Sequence, residues 1–395
     1  MKNQLLHTPE GVRDIYNGEY ADRLVIQDRM INVLKLYGYN DIKTPAFEFF
    51  DIFNKERGSV ASKNMFKFFD KEGNTLVLRP DMTPSIARCA AKYFSNTNDS
   101  IRLCYLGDTY VNNSRYKGRL TETTQIGCEL IGDASIEADA EMIALLIETI
   151  LSSGLTEFQV EVGNIAFFKG LVAEAGLDAD GEAALREVIL NKNIFRISDV
   201  LDGCEVPDNV EECINLLPTL FGGVEVLNKA KELADNEQSI KAIEHLLKVY
   251  ELVKAYGFEK YIAFDLGMLS ELDYYTGVIF KAYTYDVGAP IANGGRYDKL
   301  IGQFGKDCAS IGFCITIDFL HQAIIRQNLC INQKSQIKLI VYNSENAAAA
   351  IKLAKYLRAG NTAVEMSKTA PSSDEHKYDE VIFADNNVLE RYGIK

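Results

Sequence analysis

Residues 165 to 255 read as helix almost throughout, while the stretches on both sides of them are β-rich. No other feature restricts the fold as much. Strands alternating one by one with helices would build a parallel sheet. Strands gathered in two blocks around a helical stretch predict an α+β sheet domain carrying an insertion. The first block is dense. ADRLVIQDRMINVLKLYG at 21–38 places Leu24, Val25, Met30, Ile31, Val33, Leu34 and Tyr37 at helical spacing, with Gly38 as the stop. MFKFFDKEGNTLVLRPD is a hairpin around Asp70 to Asn74. TPSIARCAAKYF is a helix with Thr83 as N-cap and Pro84 at its first position. IRLCYLGDTYV and TETTQIGCELIG are strands joined by the polar NNSRYKGR, followed by a helix at 136–153 and a strand at 157–163.

The second block resumes at YIAFDLGMLSELDYYTGVIFKAYTYD and passes through NGGRYDKLIG, whose Gly294 and Gly295 predict a turn of positive φ rather than a phosphate loop. SIGFCITID and the helix FLHQAIIRQNL close it. The last 60 or so residues alternate strand and helix, a small α/β unit with parallel strands. The expected organisation is a mainly antiparallel mixed sheet domain over 1–325, including the 165–255 insertion, and a small α/β domain over 335–395. A chain of 395 residues is ample for both.

The formal net charge of -14 lowers the expectation of nucleic-acid binding, which draws on Lys and Arg to neutralise phosphates. No stretch approaches the apolar length of a membrane span, and the N-terminus turns polar too soon for a signal peptide, so a cytoplasmic protein is expected. The eight cysteines, at 89, 104, 128, 204, 213, 308, 314 and 330, form no C-x-x-C pair and keep no metal-ligand spacing with the four histidines. They read as small buried hydrophobes, with neither metal nor cofactor implied.

Gln125 and Glu129 lie four apart on a strand and share one face, either as a polar patch or as ligand contacts. Tyr274 and Tyr275 are adjacent, and if they lie on a strand, alternation lets only one face a pocket.

Several segments in order resemble the class II histidyl-tRNA synthetases. GVRDI at 11–15 with YGYNDIKTPAFE at 37–48 resembles the N-terminal signature and the dimer-forming motif 1. MFKFFDKEGNTLVLRPDMT at 65–83 resembles the strand pair bearing the LRPE-x-T element, and 105–129 has the frame of motif 2. LDYYTGVIF at 272–280 and NGGRYDKLI at 293–301 are similar to the two histidine signatures, with SIGFCITIDFL at 310–320 in the place of motif 3. The resemblance implies the class II synthetase fold. It also implies a histidine-like pocket at Asp81, Thr83, Gln125, Glu129, Tyr274 and Tyr275, with Asp81 and Thr83 at the ammonium and Glu129 at the imidazole.

The departures fall on the nucleotide side. Where the family carries the motif 2 arginine and glutamate, this chain has Val111 and Asn113; Phe319 stands in the place of the motif 3 arginine, and Ser270 in that of the catalytic arginine. Losing one such group costs roughly 3 kcal/mol of transition-state stabilisation. Three arginines and a carboxylate missing together imply no adenylation and no catalytic residues. The motif 2 loop residues Lys117, Gly118 and Arg119 are left as solvated or partner-contacting. Such a chain resembles the regulatory subunits of ATP phosphoribosyltransferase, the first enzyme of histidine synthesis. That resemblance implies a short-form catalytic partner, histidine feedback, and a homodimer within a hetero-oligomer, an octamer being one form. It implies neither membrane nor nucleic acid. An active histidyl-tRNA synthetase and a stand-alone histidine sensor are the alternatives.

Overall fold

The structure, a computed structural model, describes residues 6–53, 60–97, 99–113, 120–269, 274–331, 337–370, 378–385 and 387–394. The strands in chain order are β1 Asn40–Asp41, β2 Phe47–Phe49, β3 Lys67–Phe69, β4 Thr75–Leu78, β5 Ile101–Tyr110, β6 Glu122–Ile131, β7 Gln159–Asn164, β8 Phe221–Gly222, β9 Ile262–Asp265, β10 Val278–Tyr283, β11 Ala292–Arg296, β12 Ser310–Thr316, β13 Ile337–Val341, β14 Ala363–Ser367 and β15 Glu380–Phe383. Nine of them form one sheet, in the order β1-β5-β6-β12-β11-β10-β7-β9-β8. All neighbours pair antiparallel except β1 with β5 and β7 with β9. The α+β class expected from the two β-rich blocks is therefore the one observed.

The helices are α1 Asn17–Leu36, α2 Thr83–Tyr93, α3 Ile136–Ser152, α4 Ile165–Glu174, α5 Ala179–Leu190, α6 Ile197–Leu201, α7 Asp208–Leu216, α8 Glu225–Leu233, α9 Glu237–Ala255, α10 Ile317–Arg326, α11 Ala347–Ala359 and α12 Val388–Arg391. Helix α3 is apolar on nearly every side, with Met142, Ile143, Leu145, Leu146, Ile147 and Ile150 fully buried. A helix of that composition must be covered all round; the same apolar core holds buried residues of α1, α9 and the sheet. Its start is fixed by Ser135, whose hydroxyl accepts from the Ala138 amide at 3.2 Å.

Helices α4 to α9 occupy the predicted insertion, with one addition. The two-residue strand β8 lies inside the insertion and pairs with β9 at the sheet edge. Gly294 and Gly295 also depart from expectation. They do not make a positive-φ turn but lie inside β11, paired to Phe280 and Ile279 on one side and to Phe313 and Gly312 on the other. Their reason for being glycine is space. A Cβ on Gly294 would stand 2.2 Å from the Phe280 ring, and one on Gly295 2.7 Å from the Tyr275 ring.

Two compact units make up the chain, Met1–Ile331 and Asn332–Lys395. The second is a three-stranded parallel sheet, β14-β13-β15, with a core of its own around Ile340, Leu353 and Val388. All eight cysteines are free, but only Cys104, Cys128 and Cys213 are buried, four are half-buried and Cys330 is exposed, which corrects the reading of all of them as core.

Candidate functional site

A cavity of about 350 Å³ opens on one face of the nine-stranded sheet. Its wall begins with the segment before α2. The Arg79 guanidinium is buried and donates to the carbonyl oxygens of Asp108 at 2.7 Å, Thr44 at 2.8 Å and Pro45 at 3.2 Å, pinning the loop that carries Asp81 and leads into Thr83. Asp81 accepts from the Thr83 amide at 3.2 Å and from the Tyr274 hydroxyl at 3.3 Å. Thr83 is not the N-cap of α2, because it is already the first helical residue. Its hydroxyl donates instead to Glu129 at 2.9 Å.

Glu129 is the centre of the polar cluster. It projects from β6 and is 1% exposed, and Tyr297, just beyond β11, donates its hydroxyl to the second carboxylate oxygen at 2.5 Å. Burial pushes the carboxyl up to about 8; the bonds from Tyr297 and Thr83 pull the other way and the nearby Asp81 charge adds to the rise. Glycine makes room for it: on the facing strand, a Cβ at Gly312 would fall 1.7 Å from the Glu129 carboxylate. Four residues back along β6, the Gln125 side-chain oxygen is buried without a hydrogen-bond partner among the described residues.

All six residues singled out in the sequence, Asp81, Thr83, Gln125, Glu129, Tyr274 and Tyr275, line this one cavity. The alternation argument that admitted only one of the tyrosines does not apply, since both precede β10 rather than lying in it. Their rings stand 4.8 Å apart, and Tyr274 meets Tyr297 edge-on at 6.0 Å. Burial raises all three phenols, so they remain hydroxyl donors. Sequence reasoning missed Tyr297, Asn293, Gly312, Cys314 and Lys281, which also line it. Strand alternation from Glu129 and Gln125 onto the facing β12 was the signal that could have found Gly312 and Cys314. Burial pushes the Cys314 thiol up to about 12.

The nucleotide-side positions lie elsewhere. Val111 and Asn113 are outside the cavity, the Asn113 amide donating to the Leu120 carbonyl at 2.7 Å, and Phe319 packs against the main core. Ser270 and the loop residues Lys117, Gly118 and Arg119 are outside the described residues. Beside β5 and β6, a cleft is lined by four carboxylates, Asp14, Asp108, Glu122 and Asp318, and among the described residues by one guanidinium, that of Arg13; Asp318 is also paired with Arg23 at 2.8 Å. No cluster of three or more His, Cys, Asp or Glu side chains suited to a metal occurs among the described residues. The pocket suits a small ligand with hydrogen-bond donors and positive charge.

This sheet, with its acid-and-hydroxyl pocket between β6, β11 and the α2 loop, defines a class II synthetase-like protein. A family model described as histidyl-tRNA synthetase matches residues 11–320. A relative from Acetivibrio thermocellus named ATP phosphoribosyltransferase regulatory subunit is 37% identical over 361 residues, covering 91% of this chain and 86% of its own. Another of the same name, from Thermoanaerobacter pseudethanolicus, is 37% identical over 380 residues, covering 96% and 99%. The chain belongs to the family of ATP phosphoribosyltransferase regulatory subunits, within the histidyl-tRNA synthetase-like fold. A solved structure from Bacillus halodurans, described as an ATP phosphoribosyltransferase regulatory subunit/histidyl-tRNA synthetase, superposes with a TM-score of 0.86 at 31% identity, covering 96% of this chain and 98% of that one. Histidyl-tRNA synthetase from Nostoc matches at 0.77 and 19% identity, a likeness of fold.

Proposed function

We propose that this chain is a non-catalytic subunit that activates a short-form ATP phosphoribosyltransferase and relays histidine feedback to it. One observation carries the reading: the cavity holds two carboxyl groups, an unpartnered amide oxygen and three phenols, while the positions that would hold ATP are neutral or lie by an acidic cleft. Histidine fits such a lining. Its ammonium faces Asp81, Thr83 and Gln125, its imidazole faces Glu129 and Tyr297, and Tyr274 and Tyr275 close the side. Feedback then requires that histidine bind two states of the complex unequally. The chain would work in the cytoplasm, as a homodimer paired through motif 1 and joined to catalytic chains. A net charge of -14 supports a protein partner rather than tRNA.

The test is phosphoribosyl-ATP formation by the short catalytic chain, with and without this protein, across a histidine titration. Activation that histidine reverses is the expected result; an unchanged rate would overturn the reading. Histidine-dependent exchange of pyrophosphate into ATP should stay at background, and turnover in that assay would restore the synthetase alternative.

A further inference from the structure

Among the described residues the cavity has one basic side chain, Lys281, on β10, three strands across the sheet from Glu129 on β6. The sheet places it there. The registers put Lys281 opposite Asn293, Asn293 opposite Cys314, and Cys314 opposite Gly127, a row crossing the cavity floor between Gln125 and Glu129. Lys281 and Cys314 are two strands apart, which sets their Cα atoms about 10 Å from each other. The four-carbon lysine stem closes much of that gap, leaving room for one small polar group over Asn293. Glu161 is the cross-strand neighbour on β7, and the charge of Lys281 is felt by Glu161 and Asp265. No carboxylate among the described residues is nevertheless within ion-pair reach of Lys281. The Asn293 side-chain amide beside it is also without a partner among them.

Histidine brings two cationic or donor groups, its ammonium and its imidazole, and one carboxylate. The acid end of this cavity answers the first two and would repel the third. A carboxylate drawn out of water without a counter-charge is strongly disfavoured, so occupancy by a zwitterion needs a cation within the same enclosure. Building on the histidine reading above, we propose that Lys281 receives the α-carboxylate of the bound amino acid and makes the pocket selective for the zwitterion over its decarboxylated amine. Asn293 donates the second hydrogen bond to the same group. Lys281 is thus a specificity residue three strands across from Glu129.

The experiment is titration calorimetry of histidine and of histamine, which lacks the carboxylate, against the full chain and its Lys281→Met and Lys281→Arg variants. Lys281→Met should weaken histidine at least about tenfold and histamine less than about twofold, and Lys281→Arg should recover most of the histidine affinity. Unchanged histidine affinity in Lys281→Met, or an equal loss for both ligands, would overturn the role of Lys281 while leaving the histidine pocket standing. Failure of the unaltered chain to bind histidine at all would overturn the underlying reading and this proposal with it.

Discussion

Glu129 is a carboxyl kept in a place where its charge is costly, and that has a sign that can be measured. Its folded value, about 8, lies above the ordinary carboxyl value of 4.5. Between those two values the folded chain holds a proton that the unfolded chain has released. The stability this group contributes is therefore complete below about pH 4.5 and is lost as pH rises through about 8. Glu129→Gln, which imitates the neutral form, should flatten that part of the stability curve in the unliganded protein. Thermal melts at pH 5 and pH 8 should show a smaller drop for the variant, at about 2–4 °C for each kcal/mol recovered. An identical drop in both proteins would mean that Glu129 ionises as freely as a surface acid. At this scale the acids and tyrosines of the pocket were legible because they stand in recognisable strings. Tyr297 was not, because its hydroxyl reaches Glu129 across 168 residues of sequence, by way of a segment whose glycines read as a turn.

Helix α9 joins the inserted helices to the sheet, packing on α4, α8, α3 and β7. His245 on α9 approaches Asp139 of α3 at 2.6 Å, and the other Asp139 oxygen accepts from Arg296 at 2.8 Å and 2.5 Å. Asp139 is wholly buried, so removing one partner leaves an oxygen of a buried carboxylate unsatisfied. His245→Ala should destabilise the chain by about 1–3 kcal/mol. Hydrogen exchange should find the loss concentrated in α9; exchange unaltered along that helix would remove the bond from the account. The long helices and the ten-residue strands β5 and β6 could be read from periodicity, because a 3.6- or 2-residue repeat had room to recur. The pair Phe221–Gly222 and the glycine-bearing β11 had no such room. A strand of two residues has no period, and glycines carry no side chain to alternate.

For the whole molecule, the small parallel sheet after Asn332 has a core separate from the one beneath the pocket. A chain ending at Ile331 should therefore remain folded and bind histidine within about twofold of the full chain. Loss of binding in a fragment with an intact circular-dichroism spectrum would make the second unit part of the site. The antiparallel sheet with its insertion followed from the placement of β-rich and helical blocks, whereas strand order needed the three-dimensional pairing. That pairing brings Gly312 into the cavity lining, where a Cβ would strike the Glu129 carboxylate. The volume of the pocket is thus held by atoms that are missing. Drift at this position can run in one direction only, toward filling. In a lineage released from the need for the ligand, the cavity would close by acquiring a side chain at 312, and the acids around it could persist long afterwards as a misleading signature.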